Sequence, residues 1–446
     1  MATPFSDLRL TQLVGPFVTV SPRGIVLGTS TVPNDGAMFG PDNDTTGTVG
    51  IQDALNSISS SGGTVFLFSG TYNVGAAIGN TGNRQTVIIQ PGTTLVFNGE
   101  ASGGIHVAQD TAATTAYYYC SWFGNGCILT GPSGGSPWTL IDLNITAASN
   151  WPSGQAPYMI VVDGFEVTNF ANTGIWLQVG NSTITPTIFQ CLRQLRMSRI
   201  YVHNYSGTGA LVIGGSVKYC SFERIVIDGS ATPTTSTMNV LAAVPANGDI
   251  AHLEFHHCFF ESNGDASHTA NGNAIYLSGW SEVSLLADIL FENCEFYCPS
   301  THTSPGMGGT GGLDLLDVST SVTNVDFVDC LFNSAGVTYA GSTPATGFVK
   351  FHGGYPPATS GSLAGRSPGQ VIGVPTTGTG TPLTYLNQDG FDELLIVSGG
   401  TGVAITLNGQ SVGVTSGVFE VKTGDTLVVS WTSGTGNNPT VNKCPA

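Results

Sequence analysis

Phe255-His-His-Cys258-Phe-Phe260 recurs as Phe291-Glu-Asn-Cys294-Glu-Phe296 and again as Phe327-Val-Asp-Cys330-Leu-Phe332. The copies start at 255, 291 and 327, an offset of 36 residues each time. A fixed period of this size marks stacked units, none of which can bury its own apolar face. Stacking them makes one continuous core. Working outward, inward pairs can be traced at Phe165/Val167, Ile200/Val202, Ile225/Ile227, Cys258/Phe260, Cys294/Phe296 and Cys330/Phe332. A second inward set follows at Ile175/Leu177, Leu211/Ile213, Ile275/Leu277, Leu313/Leu315 and Phe348. Cys258, Cys294 and Cys330 fall on inward positions and read as small buried hydrophobes.

Composition agrees with stacked strands. Of the 446 residues only 9% are charged, while 41% are hydrophobic and 61 are glycine. Gly, Thr and Asn are poor helix formers, so the chain reads as β structure with many tight turns. The formal net charge of −17 provides no basic footprint for nucleic acid. An acidic surface also repels anionic lipid and highly anionic glycans. The start, MATPFSDLRLTQLVG, lacks an apolar run behind a basic region. That predicts no signal peptide, and no segment is apolar for long enough to insert in a membrane.

Residues 1–33 read as an N-terminal arm. Ile51, Ala54, Leu55 and Ile58 then recur at helical spacing before Ser59-Ser60-Ser61-Gly62-Gly63, which predicts a helix of three turns. A helix here would cap the exposed edge of the strand stack. Gly63 to Val74 follows as two short strands around Gly70. The text PDNDTTGTVGIQDALNSISSSGGTVFLFSGTYNV, residues 41–74, resembles the opening of the pectate-lyase-like superfamily. Its marks are an acidic D-x-T segment, an I-Q-x-A-L cap helix and a G-G-T-V…G-T-Y strand pair. The resemblance implies an all-β, right-handed parallel β-helix with an N-terminal capping helix, here over residues 34–355. That superfamily includes polysaccharide lyases, glycoside hydrolases and viral tailspikes, so fold alone names no activity.

Pro, Gly, Ser and Thr dominate residues 356–382, which read as a linker. From 383 to 446 several short apolar runs separated by turns predict a small C-terminal β-sandwich. The text IVSGGTGVAITLNGQSVGVTSGVFEVKTGDTLVVSW, residues 396–431, resembles a module at the end of some phage tail proteins.

Stacked rungs lie about 4.8 Å apart, so aligned coils give approximate distances. The position after the first Phe of each copy carries Glu223, His256, Glu292 and Val328; the next carries Arg224, His257, Asn293 and Asp329. Both fall at a corner. Further on come Asp228, Glu261, Tyr297 and Asn333. A glycosidase needs two carboxyl groups, about 5–5.5 Å apart for retention or about 6.5–9.5 Å for inversion. Glu223 with Glu292, two coils apart, and Asp228 with Glu261, one coil apart, are the candidate catalytic pairs. Either pair can instead be part of a surface polar ladder. The loop from Glu261 to His268 leaves the shaft, and Glu261, Asp265 and His268 are candidate glycan contacts; a plain solvated loop is the alternative. Trp122, Trp138, Trp151, Trp176 and Trp280 lie along the shaft. Trp176, between inward Ile175 and Leu177, should point outward to a sugar or a neighbouring subunit.

Neither Cys294/Cys298 nor Cys120/Cys127 completes a zinc set, though the second pair could form a disulfide. His256 and His257 read as hydrogen-bonded corner residues, and Asp42 with Asp44 falls short of a calcium site. No metal or cofactor is expected. Lyases of the resembled superfamily use calcium with an Arg or Lys base. Between Arg224 and Lys350 there is neither, and the Arg193/Arg196/Arg199 cluster reads as coil-closing. Two functions stay open. One is a virion-surface spike or fibre for host glycan binding, a homotrimer joined to other virion proteins through its N-terminal arm. The other is a polysaccharide-degrading glycoside hydrolase.

Overall fold

A computed structural model describes residues 15–98, 103–131, 139–145, 157–179, 191–228, 239–261, 286–297, 322–333 and 383–445, with short gaps inside these ranges. It also describes strands at 275–277, 312–314, 336–338, 349–352 and 370–371. The described strands from Phe17 to His352 wind into a parallel β-helix. One large sheet runs from Phe17–Val20 through Gly63–Leu67, Gln85–Ile89, Ser121–Thr130, Tyr158–Thr168, Leu192–His203 and Val217–Ile227 to Val349–His352. A second runs from Ile78–Gly79 to Gly336–Thr338. Neighbouring strands in both are parallel, as the winding of coils demands.

The repeat builds the core. Val167, Val202, Ile227, Phe260, Phe296 and Phe332 pair in succession across the rungs. Phe222, Phe255, Phe291 and Phe327 form a second column whose stacked rings are 4.5, 4.8 and 4.9 Å apart. Phe260 and Phe296 meet that column edge-on, so the two columns interlock. Cys294 and Cys330 are buried beside them, their thiols 3.3 Å from the Phe255 and Phe291 carbonyls. Burial pushes the Cys120 and Cys220 thiols up to about 12. Cys120 and Cys127 are both free and buried, which corrects the possible disulfide.

Each rung also bends at fixed positions. Tyr119, Met159, Gln194, Tyr219, His252 and Asp288 hold left-handed backbone, with φ from 52° to 57°. Arg199, Arg224, His257, Asn293 and Asp329 do the same, with φ from 50° to 55°. Left-handed backbone costs a non-glycine residue roughly 1–2 kcal/mol. Cross-rung amide bonds such as His257 N to Glu292 O, 3.0 Å, and Asn293 N to Val328 O, 2.9 Å, offset this. The second row of bends, at Arg224, His257, Asn293 and Asp329, is the corner that the repeat alignment predicts.

The helix spans Ile51–Ser57, two turns rather than three. It presents Ile51, Ala54 and Leu55 to the core. The Asp44 carboxylate accepts the Thr46, Thr48 and Val49 amides ahead of it. Partial burial opposes its charge, but these backbone bonds outweigh that and lower its pKa below the ordinary value. The resulting stability is present above that ordinary value and fades as pH falls through the lowered one. Asp44 therefore closes the loop before the cap.

Four assignments differ from the sequence reading. Phe17–Val20 is not arm but the first rung, paired with Gly63–Leu67. The second inward set has a further rung at Leu241, between Leu211 and Ile275. Val337, not Phe348, follows Leu313; Leu315 and Phe348 lie outside the described residues. At the C-terminal end two four-stranded antiparallel sheets share a core of Leu395, Val397, Ile405, Val421, Leu427, Val429 and Val441. Gln370–Val371, read as linker, pairs into one of them.

Candidate functional site

Outward positions between the two inward columns carry the polar chemistry. Beyond the second bend, residues 165, 200 and 225 point inward, and 166, 201 and 226 alternate outward in register. This pairing sets Glu166 beside Tyr201. His203 stacks on the Tyr201 ring with centroids 4.4 Å apart, and its Nε2 lies 2.9 Å from Glu166 Oε1. The Tyr201 hydroxyl donates to Asp228. That bond, some desolvation and the charges of Asp228, Glu166 and Glu261 push the phenol up to about 12. Tyr201 thus stays a neutral donor at any working pH. Its ring remains 37% exposed. Two rungs on, Phe259 stacks on Tyr297, with centroids 6.4 Å apart. The face combines flat rings with carboxylate acceptors on rigid rungs, a combination suited to the apolar and hydroxyl surfaces of a sugar.

Asp228 follows Ile227 and Glu261 follows Phe260, and those two are paired rung to rung. The candidate pair is therefore brought to neighbouring rungs, about 4.8 Å apart along the shaft, and both acids bear on Tyr201. Glu223 and Glu292 are separated differently. His256 sits in register between them. Its Nδ1 is 2.9 Å from Glu292 and its Nε2 3.4 Å from Glu254. Glu223 is engaged by Arg196 at 3.1 Å. These two acids belong to a cross-rung ion ladder. The same ladder holds Arg199, whose guanidinium forks onto the nearly buried Asp163.

Trp176 is half-buried between buried Ile175 and Leu177, with its indole N–H 2.9 Å from Gln178 Oε1. Trp122, a shaft tryptophan that could have met a sugar, is fully buried, and its indole N–H donates to Asn80 Oδ1 inside the shaft. Asp265, His268, Trp138, Trp151 and Trp280 lie outside the described residues. Sequence reasoning missed Glu166, Tyr201 and His203. The signal was present, since aligning Phe165 with Ile200 already sets Glu166 beside Tyr201. Among the described residues no cluster of three or more metal-ligating side chains occurs, and no helix is long and apolar enough to cross a membrane.

Fold and exposed rows together define an elongated parallel β-helix protein with an aromatic-carboxylate face. No protein-family model matches the chain, and no curated protein matches it. Solved structures to which it is similar include the tailspike protein of Acinetobacter baumannii phage AM24, at 12% identity and TM-score 0.39 over 88% of this chain and 75% of that one. Another is the enzymatically active domain of tailspike protein 2 of bacteriophage CBA120, at 12% identity and TM-score 0.42 over 97% and 71%. A third is a tailspike protein mutant of E. coli bacteriophage HK620, at 11% identity and TM-score 0.37 over 93% and 92%. No residue role is carried over from them.

Proposed function

We propose that this chain is a spike or fibre protein of a phage virion surface that binds a host surface polysaccharide along its shaft. The observation that carries this reading is the Glu166–Tyr201–His203–Asp228 cluster. A half-exposed aromatic ring there is fixed by stacking on one side and by a hydroxyl–carboxylate bond at its tip. A glycan meets such a face without the entropy cost of ordering it. A homotrimer agrees with the exposed Met159, Tyr219 and Leu331 along the shaft, which neighbouring subunits would cover. Joining to other virion proteins falls to the N-terminal arm.

A second reading, glycoside hydrolysis, is favoured by Asp228 and Glu261 on neighbouring rungs beside one phenol. One acid would attack or activate water while the other protonates the leaving oxygen.

Both readings meet one experiment. Purified bacterial surface polysaccharides are titrated against the full chain and its variants. Tyr201→Ala is expected to weaken binding more than about tenfold, as loss of a central tyrosine anchor does. Unchanged binding by that variant would remove the site. Release of reducing ends, lost in Glu261→Gln while binding persists, selects the hydrolase; binding without release selects adhesion.

A further inference from the structure

Among the described residues of the shaft, one cluster sets cations apart from acids. Among the described residues from 39 to 261 the basic side chains are Arg84, Arg193, Arg196, Arg199, Lys218 and Arg224. Four are neutralised. Arg196 and Arg224 lie 3.1 and 3.9 Å from Glu223, Lys218 lies 2.7 Å from Asp249, and Arg199 grips Asp163. Arg84 and Arg193 have no carboxylate partner among the described residues. Each lies instead over a tyrosine ring: Arg84 is 6.0 Å from the centroid of Tyr119, and Arg193 is 5.4 Å from that of Tyr158.

Those rings form one cluster. Tyr118 and Tyr158 stack with centroids 5.2 Å apart and 11° between planes. Tyr119 meets both edge-on, at 5.5 and 5.3 Å. Tyr119 is 41% exposed and Arg84 is exposed, while Tyr118, Tyr158 and Arg193 are half-exposed. Consecutive rungs hold the cluster rigidly. Arg84 N donates to Tyr118 O at 2.9 Å, Tyr119 N donates to Tyr158 O at 3.1 Å, and Tyr158 pairs with Arg193. Arg84 and Tyr119 both sit in left-handed backbone at the first bend, which turns their side chains off the sheet.

We propose that Arg84, Tyr118, Tyr119, Tyr158 and Arg193 form a subsite for a carboxylate-bearing sugar. A guanidinium pairs with a carboxylate through two parallel hydrogen bonds. Stacking on a ring holds it in place while leaving its N–H edge free. The phenols supply flat apolar faces and hydroxyls for the ring of the same sugar. Charge complementarity selects the ligand. In a chain of net charge −17, two guanidiniums that face solvent with no carboxylate partner among the described residues favour an anion locally, against the general repulsion of the surface. The subsite rests on the glycan-binding reading and deepens it, on a face of the shaft separate from Tyr201.

The test uses the full chain with an oligoglucuronate and an oligosialate, each beside its carboxyl-reduced counterpart. The acidic forms should bind at least about tenfold more tightly than the reduced ones, the worth of one charged hydrogen bond. Added salt should erode the preference. Arg193→Gln and Arg84→Gln should each remove most of it and leave the reduced forms unaffected. Tyr201→Ala serves as the separate control for the glycan face. Absence of any acid preference with both probes overturns the subsite, even where Tyr201-dependent polysaccharide binding persists. A fall in oligomer mass on Arg84→Gln or Tyr158→Ala, with no change in acid preference, also overturns it and makes the patch an interface between copies.

Discussion

Phe291→Ala is expected to cost the shaft about 3–5 kcal/mol, the range for deleting a buried phenylalanine. Phe291 is fully buried and stands where the two phenylalanine columns interlock. It stacks on Phe255 and Phe327 at 4.8 and 4.9 Å and meets Phe260 and Phe296 edge-on at 6.4 and 5.6 Å. Truncation leaves a void against four rings that are themselves pinned by rungs above and below, so the site cannot collapse to fill it. In a stacked architecture the loss is felt by nearest neighbours first. Hydrogen exchange should therefore quicken across 250–261 and 322–333, while the C-terminal strands at 393–398 and 426–430 keep their protection. Denaturant unfolding supplies the energy. A cost no larger than that of Tyr297→Ala, which trims an outward ring, would mean that the columns are not the core.

The second large effect is expected from Asn80→Ala. Asn80 is fully buried. Its Oδ1 accepts the Ala108 amide at 2.8 Å and the Trp122 indole N–H at 3.1 Å, and its Nδ2 donates to Gln85 Oε1 at 3.2 Å. Gln85 in turn donates to the Leu55 carbonyl at the end of the cap helix, at 2.8 Å. Alanine strands two buried donors, each worth about 1–3 kcal/mol when left unpaired. A loss of about 2–6 kcal/mol follows, with Trp122 fluorescence shifted and the Ala108 amide exchanging faster. A loss under about 1 kcal/mol would show that water enters the network freely.

These two sites mark what could and could not be read from sequence. The 36-residue repeat exposes the phenylalanine columns because apolar residues at a fixed period have few explanations other than stacking. The Asn80 network is silent in sequence. Its partners at 85, 108 and 122 follow no period, and nothing marks an Asn as buried until the coils around it are wound. The burial of Trp122 is silent for the same reason, since its partner Asn80 lies 42 residues earlier in the chain. The functional face was half legible. Asp228 and Glu261 emerge from aligning the repeats. Glu166, Tyr201 and His203 fall in earlier, shorter coils, where the period drifts and alignment takes the inward residues alone. The role of His256 between Glu223 and Glu292 was visible in the alignment, but its bond to Glu292 depends on side-chain direction.

Register is the claim on which the sites rest, and paired cysteines test it directly. Val226 and Phe259 are outward partners on neighbouring rungs, and Phe259 pairs in turn with Glu295. Neighbouring rungs bring Cα atoms within the roughly 4.4–6.8 Å that a disulfide spans, whereas two rungs do not. Under mild oxidation, Val226→Cys with Phe259→Cys should give a cross-linked peptide on proteolytic mapping, and Val226→Cys with Glu295→Cys should give none. Cross-linking of 226 to 295 but not to 259 would contradict the winding, and with it every site placed along the shaft.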